Sequence, residues 1–160
     1  MKVYPAKLTL ALTLKFLILF FSMSVEGKRF ATHVGCMDGR VVEPILKFTK
    51  DKFDTDYTDN ITEAGIVRLI AHNPDPKFLD QLKYKLEISL KNHSSVVVVV
   101  EGHESCAGNP VDKATQEADI RRSVEVLQTM LHSSIPIIGV YVREREGNWV
   151  VEEVSETKFA

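Results

Sequence analysis

Apolar residues along the chain fall into short runs typical of strands and longer stretches with helical spacing. The strand-like runs are Phe30–Cys36, Asp56–Ile61, Val96–Val100, Pro136–Val142 and Asn148–Val154. The run of consecutive valines is the most informative, because a strand without polar alternation is buried on both faces, as central strands of parallel sheets are. The last run predicts a strand at the edge of the sheet.

Between these runs, apolar residues three or four positions apart predict amphipathic helices. The helices cover Val41–Lys52, Ile66–Ala71 and Phe78–His93, and a fourth opens at Asn109-Pro110 with Asn109 as its cap. The fourth helix has an apolar stripe at Ile120, Val124, Leu127 and Leu131. The alternation predicts an α/β fold: an open, mainly parallel β-sheet of four parallel strands plus an edge strand, flanked by helices on both faces.

The N-terminus differs from the rest of the chain. Lys2, Lys7 and Lys15 accompany an apolar run at Phe16–Phe21, and small residues follow up to Gly27. These are the basic, apolar and cleavage parts of a secretory signal, so residues 1–27 are expected to be a hydrophobic leader and residues 28–160 the folded domain. Three alternatives stay open: a cleaved signal that exports the protein to the periplasm or outside the cell, an uncleaved membrane anchor, or a true start near Met23 and a cytoplasmic protein.

Composition fits one ordinary domain. The 160 residues are 44% hydrophobic and 26% charged, with a formal net charge of −2. This supports a single hydrophobic core and argues against disorder. Basic residues form no stripe along the sequence, so a nucleic-acid partner is not expected.

Two polar motifs follow two of the predicted strands. Cys36-Met37-Asp38-Gly39-Arg40 comes after the first strand, and His103-Glu104-Ser105-Cys106 comes after the valine strand. Ligands of open parallel sheets bind beyond the carboxyl ends of the strands, where the strand order reverses, so the two motifs meet if these strands are neighbours. Two thiolates and an imidazole are good zinc ligands and leave a fourth position open.

A disulfide between Cys36 and Cys106 is the alternative use of the two cysteines. Closing so long a loop is worth about 4 kcal/mol in the chain-entropy model, whereas structural zinc binding in small peptides is worth roughly 10–16 kcal/mol. A disulfide also leaves His103 and the Asp38–Arg40 pair without a role. Zinc is therefore the preferred interpretation.

Together the two motifs resemble those of the β-class carbonic anhydrases, and most closely the compact branch named putative carbonic anhydrases. Ala64-Gly65 is similar to that family's Ala-Gly turn. The resemblance implies that Cys36, His103 and Cys106 bind one Zn²⁺ per chain. It also implies that Asp38 either accepts a hydrogen bond from zinc-bound hydroxide or takes the fourth metal position, and that Arg40 pairs with Asp38.

The function implied by the resemblance is reversible hydration of CO2 to bicarbonate by a homodimer, with Asp38 and Arg40 as catalytic residues. The alternatives are a zinc hydrolase of carbonyl sulfide or carbon disulfide, and a non-catalytic zinc-binding or sensing protein. Glu63 and Glu104 are candidate proton carriers, although surface positions are the simpler expectation. Trp149 is expected to be a packing residue, and His33 is expected to take either a packed or a surface position rather than to join the site.

Overall fold

The computed structural model describes residues 27–72, 75–132 and 134–157. The predicted leader lies outside these residues except for Gly27, so its cleavage, its anchoring and the site of export stay predictions. Among the described helices, none combines the length and apolar character that crossing a bilayer requires.

One five-stranded sheet forms the centre of the described domain. The elements in chain order are β1 (Phe30–Gly35), α1 (Gly39–Phe53), β2 (Tyr57–Thr62), α2 (Ile66–Ala71), α3 (Pro76–Lys91), β3 (Val98–His103), α4 (Lys113–Leu131), β4 (Ile137–Arg145) and β5 (Asn148–Glu156). The strand order is β2-β1-β3-β4-β5; the first four strands are parallel and β5 pairs with β4 antiparallel. The predicted fold class, including the edge strand, is confirmed.

The valine run divides between two cores because successive side chains of a strand point to opposite faces. Val98 and Val100 pack with residues of α2, α3 and α4, such as Ile66, Leu86 and Ile120. Their neighbours along the chain pack on the other face, where α1 lies. This second core contains Ala31, Val41, Ile45, Val97, Val99, Ile138, Val140 and Val142. Helices therefore cover both faces of the sheet, as the central position of this strand requires.

Several element boundaries differ from the prediction, and two of the differences bear on the site. β3 extends to His103, because its pairing with β4 continues through Glu101 and Gly102 up to Val142. The prediction that Asn109 caps the following helix is wrong. That helix, α4, begins at Lys113, and its cap is Asp112, whose carboxylate accepts the Thr115 N–H at 2.8 Å.

β1 and β3 are direct neighbours, with Thr32 opposite Val98 and Val34 opposite Val100. From β1 the chain continues to β2 on one side of the sheet, whereas β3 and β4 lie on the other side. The strand order therefore reverses between β1 and β3, and the motifs that follow these two strands meet at that point.

Candidate metal centre

Three side chains from the two motifs converge at the carboxyl edge of the sheet. The ligand atoms of Cys36, His103 and Cys106 all lie within 4.8 Å of one another. All three residues are buried, with 6%, 2% and 3% of their surface exposed. β1 delivers Cys36 one residue after its last position, and β3 delivers His103 as its last residue.

The ring of His103 is oriented as a metal ligand would be. Its Nδ1 lies 2.9 Å from the backbone oxygen of Glu104. A carbonyl oxygen only accepts, so Nδ1 carries the proton and the lone pair is on Nε2. Nε2 is buried and has no hydrogen-bond partner within the described ranges. Backbone hydrogen bonds of this kind fix the tautomer of metal-binding histidines.

A tight turn brings Cys106 back beside His103. Ser105 takes the left-handed conformation, with φ 54°, directly before Cys106. The following residues pack against the Ala64-Gly65 turn so closely that a Cβ on Gly65 would lie 2.4 Å from the backbone carbon of Gly108. Gly65 itself has φ +60°. The Ala-Gly turn seen in the sequence therefore supports the loop that carries Cys106.

The chemistry of the donor set fits a zinc ion better than a disulfide. The two sulfur atoms are 3.7 Å apart and both cysteines are free, whereas a disulfide bond is about 2.05 Å long. Burial raises the pKa of the Cys106 thiol and the nearby Cys36 raises it further, while N–H groups of Asn109 and Gly108 directed at Cys106 oppose this. A divalent cation would reverse the effect and keep both thiols ionised.

Asp38 and Arg40 form a bidentate pair directly after Cys36. Arg40 Nε donates to Asp38 Oδ1 at 2.9 Å and Nη2 donates to Oδ2 at 2.6 Å. Asp38 is also the cap of α1, since it accepts the Arg40 N–H at 3.0 Å. The hydrogen bond from Arg40 holds the pKa of Asp38 well below its usual range, so this carboxylate is ionised. A metal-ligand role for Asp38 stays a prediction.

Trp149 lies at this site, although the sequence placed it only in a packing role. The guanidinium carbon of Arg40 lies 4.8 Å from the centre of the Trp149 ring. The same ring meets the His103 imidazole edge-on, with centroids 6.5 Å apart and an interplanar angle of 69°. Trp149 also packs against the α1 core. Its position in an edge strand gave no indication of these contacts.

A buried carboxylate lies behind the metal centre. Glu101 Oε2 accepts the N–H of Cys36 at 2.8 Å, and the ring of His33 lies 3.5 Å from the same oxygen. Both Glu101 and His33 have no exposed surface, so of the two positions expected for His33, packed or at the surface, the structure shows the packed one. The other ring nitrogen of His33 lies 3.0 Å from Asn60 Oδ1. This network fixes the backbone from which Cys36 projects.

A second polar network supports His103 from the other side. Gln116 of α4 donates to the backbone oxygen of His103 at 3.1 Å. Its side-chain oxygen accepts from Asn109 Nδ2, which also donates to Asp119 at 2.9 Å. Asp119 in turn pairs with the partly exposed ring of His72 at 2.7 Å. Asn109 is therefore a buried support of the site rather than a helix cap.

The two candidate proton carriers are exposed, and each accepts a hydrogen bond from a backbone N–H group. Glu63 accepts the N–H of the next residue, Ala64, and Glu104 accepts the N–H of Glu144. The structure places both residues in the surface positions that the sequence favoured. A role in proton transfer stays a prediction.

Fold and centre together define a class of protein: an α/β domain with a buried Cys-His-Cys site at the carboxyl edge of a parallel sheet. The sequence model of the family described as "Putative carbonic anhydrase" matches residues 26–155. The chain belongs to this carbonic anhydrase family. The predicted family and enzyme class are confirmed. No curated protein sequence matches the chain.

Solved structures of β-carbonic anhydrases share the fold. An isoform from Trichomonas vaginalis has a TM-score of 0.50 at 16% identity, with 95% of this chain and 98% of that chain covered. A tetrameric enzyme from Sordaria macrospora has a TM-score of 0.52 at 14% identity, with coverage of 96% and 100%. At this identity the similarity supports the architecture of the sheet and helices.

Proposed function

We propose that this chain catalyses the reversible hydration of CO2 to bicarbonate at a zinc ion held by Cys36, His103 and Cys106. The observation that carries the proposal is the convergence of these three buried ligand atoms, with the lone pair of His103 Nε2 unpaired, in a member of a carbonic anhydrase family. Zinc bound there would lower the pKa of a water toward about 7 and so supply a hydroxide nucleophile near neutral pH.

The protein's own contribution is to hold an ionised acceptor beside the nucleophile. Asp38 is kept anionic by Arg40. Its Oδ1 already accepts two N–H groups of Arg40, whereas Oδ2 accepts only Nη2 and retains a lone pair for a further donor. An acceptor of this kind orients a hydroxyl group toward an electrophile. Because Asp38 also caps α1, its backbone position is set by the helix as well as by Arg40.

The proposal is tested by stopped-flow CO2 hydration with zinc-loaded protein. Asp38→Ala removes the acceptor and is expected to lower kcat/KM by about 100-fold, the usual scale for a positioned proton acceptor. Asp56→Ala is the matched control, because Asp56 is a surface carboxylate that also pairs with a cation, Lys28. Wild-type activity no greater than that of Asp38→Ala would refute CO2 hydration at this site.

We also propose that the protein is a homodimer. Met37 stands between Cys36 and Asp38 with 66% of its surface exposed, so an exposed apolar side chain adjoins two residues of the site in the sequence. The Sordaria macrospora enzymes are described as tetrameric. Sedimentation of Met37→Glu is expected to show a larger monomer fraction than Tyr84→Glu, since Tyr84 is an equally exposed apolar residue on α3. A wild-type monomer would contradict the proposal.

A further inference from the structure

We propose that Trp149 is a positioning residue: its indole face holds the Arg40 guanidinium in the orientation that grips Asp38, and so keeps the metal site accessible to small ligands. This inference rests on the proposed function, because it concerns the same site. It extends the function to the edge strand β5, which the sequence motifs do not include.

The contacts of Arg40 use two different surfaces of its planar guanidinium. The N–H groups along one edge meet the carboxylate of Asp38, at 2.9 and 2.6 Å. The indole of Trp149 lies 4.8 Å from the guanidinium carbon, within the range of a cation–π contact. An edge bond and a face contact restrict different motions, so together they fix the plane of the group.

The ion pair restrains only one edge of this side chain. The side chain of Arg40 is 46% exposed and that of Asp38 is 24% exposed. At such exposure solvent screens the pair, and a bidentate contact along one edge leaves the face of the guanidinium without a restraint. Arg40 has a further polar contact at 3.5 Å, to the backbone oxygen of Ser105, which is at the limit of a hydrogen bond. The indole therefore supplies a restraint that these contacts lack.

Trp149 is itself held in place by the surrounding fold. It is the second residue of β5, opposite Glu144 of β4, and it packs against the core that α1 covers. Three residues further along the strand, Glu152 binds Lys113 of α4 and two arginines of β4. The position of the indole is thus set by the pairing of β5 with β4 and by packing against the core that α1 covers. If it is removed, Arg40 gains freedom and Asp38 is released toward the three ligand residues.

The chain contains a single tryptophan, so its fluorescence reports this contact directly. Arg40→Gln leaves Trp149 in place and removes the cation, so we expect a shift of the emission maximum and easier quenching by acrylamide in metal-free protein. Arg121→Gln removes an arginine of α4 that binds Glu117 and is the matched control, with no expected change. Emission unaltered by Arg40→Gln would overturn the proposal. This measurement is independent of zinc and of catalysis.

Azide binding to the cobalt-loaded protein tests whether Trp149 keeps the metal site accessible to small ligands. Azide binding, followed by the visible absorption of cobalt, is expected to weaken about two- to fivefold in Trp149→Leu, the range of a partly exposed cation–π contact. Trp149→Phe keeps an aromatic face and should lie between wild type and Trp149→Leu. Phe48→Leu is the control, because Phe48 is an aromatic residue that packs on the same core as Trp149 and lines a surface pocket together with it.

The azide results separate this inference from the proposed function. Equal azide affinity in Trp149→Leu and Phe48→Leu would overturn the positioning role even if the wild type hydrates CO2. Weaker azide binding in Trp149→Leu alone supports the role even if the wild type hydrates no CO2. If Trp149→Leu does not fold, Trp149→Phe and the Arg40→Gln fluorescence decide the matter.

Discussion

Gly35 is the residue that makes room for the buried carboxylate behind the metal centre. A Cβ at this position would lie 2.0 Å from His33 Nε2 and 2.4 Å from Glu101 Oε2. Neither neighbour has exposed surface into which it can move. Any larger residue would therefore force the His33 ring and the Glu101 carboxylate apart, at the point where Glu101 binds the Cys36 N–H.

Gly35→Ala is expected to destabilise the protein by about 1–3 kcal/mol, the usual cost of inserting a methyl group into a packed site. Gly39→Ala is the matched control, because a Cβ there meets no atom within 4 Å and lies in the first turn of α1. It should be neutral or slightly stabilising, by up to about 1 kcal/mol. Urea unfolding measures both variants, and equal midpoints would refute the steric role of Gly35.

For single residues, the sequence predicts the three candidate metal ligands but not the buried residues that support them. Cys36, His103 and Cys106 are recognisable because their types and spacing match a known chemistry. Glu101 carries no such pattern. Its one distinguishing feature is that a carboxylate directly follows a run of buried valines, which indicates a buried acceptor without naming its donor. The donor is the backbone N–H of Cys36, directly after β1, so only the pairing of β1 with β3 identifies it.

At the scale of elements, α4 holds His103 through one side chain on its first turns. Gln116 is 2% exposed and bonds both the His103 carbonyl and Asn109. Replacing it with an apolar residue removes the side-chain donor to the buried His103 carbonyl and one of the two acceptors of the Asn109 amide group.

Gln116→Leu is expected to cost about 1–3 kcal/mol, the penalty for stranding buried polar groups. Gln128→Leu makes the same change on the exposed face of the same helix and should be close to neutral. Thermal or urea unfolding of both variants gives the comparison. A Gln116→Leu variant as stable as Gln128→Leu would show that the network does not hold α4 to β3.

Glu152 connects β5 to its neighbours through charge. Its side chain is 26% exposed and binds Lys113 at 2.8 Å, Arg143 at 2.8 Å and Arg145 at 2.7 Å. The hydrogen bond from Lys113 and then that from Arg143 lower the pKa of Glu152 in the folded state. Because the pKa of Glu152 is lower in the folded than in the unfolded state, where it is about 4.3, the ionised carboxylate stabilises the fold at pH values above the unfolded-state pKa. This stabilisation is lost as the pH falls through the folded-state pKa.

Glu152→Gln is therefore expected to be less stable than wild type at pH 7, by at most about 1 kcal/mol, and to match it once the pH lies below the lowered pKa of Glu152. Urea midpoints across this pH range measure the difference. Glu156→Gln, an exposed residue of the same strand, should show no such convergence. A stability difference for Glu152→Gln that persists unchanged into acid would contradict the ion-pair account.

The wrongly predicted start of α4 shows that a sequence pattern alone does not always determine where a helix begins. Asn109-Pro110 and Asp112 are both acceptable beginnings for a helix, since Asn and Asp side chains cap equally well. The choice was made by tertiary contacts: Asn109 is drawn into the buried network with Gln116 and Asp119. Asp112, which lies at the surface, remained to cap the helix.

Across the whole molecule, the parallel sheet explains why two motifs far apart in the chain form one site. Parallel strands end at the same edge, so the order of β1 beside β3 is sufficient to bring Cys36 to Cys106. This much follows from alternating strands and helices. The place of Trp149 does not, because it depends on the antiparallel register of β5 against β4, which puts Trp149 opposite Glu144.

The central claim is that Cys36, His103 and Cys106 form a zinc centre. Zinc content per chain, measured after dialysis against a moderate chelator, tests it most directly. The account predicts about one zinc per wild-type chain and none in Cys106→Ser or His103→Ala, because each variant removes one of the three side chains that converge on the site. His93→Ala, at a surface histidine paired with Asp59, should retain the metal. Wild-type protein without zinc, or Cys106→Ser with as much zinc as wild type, would contradict the account.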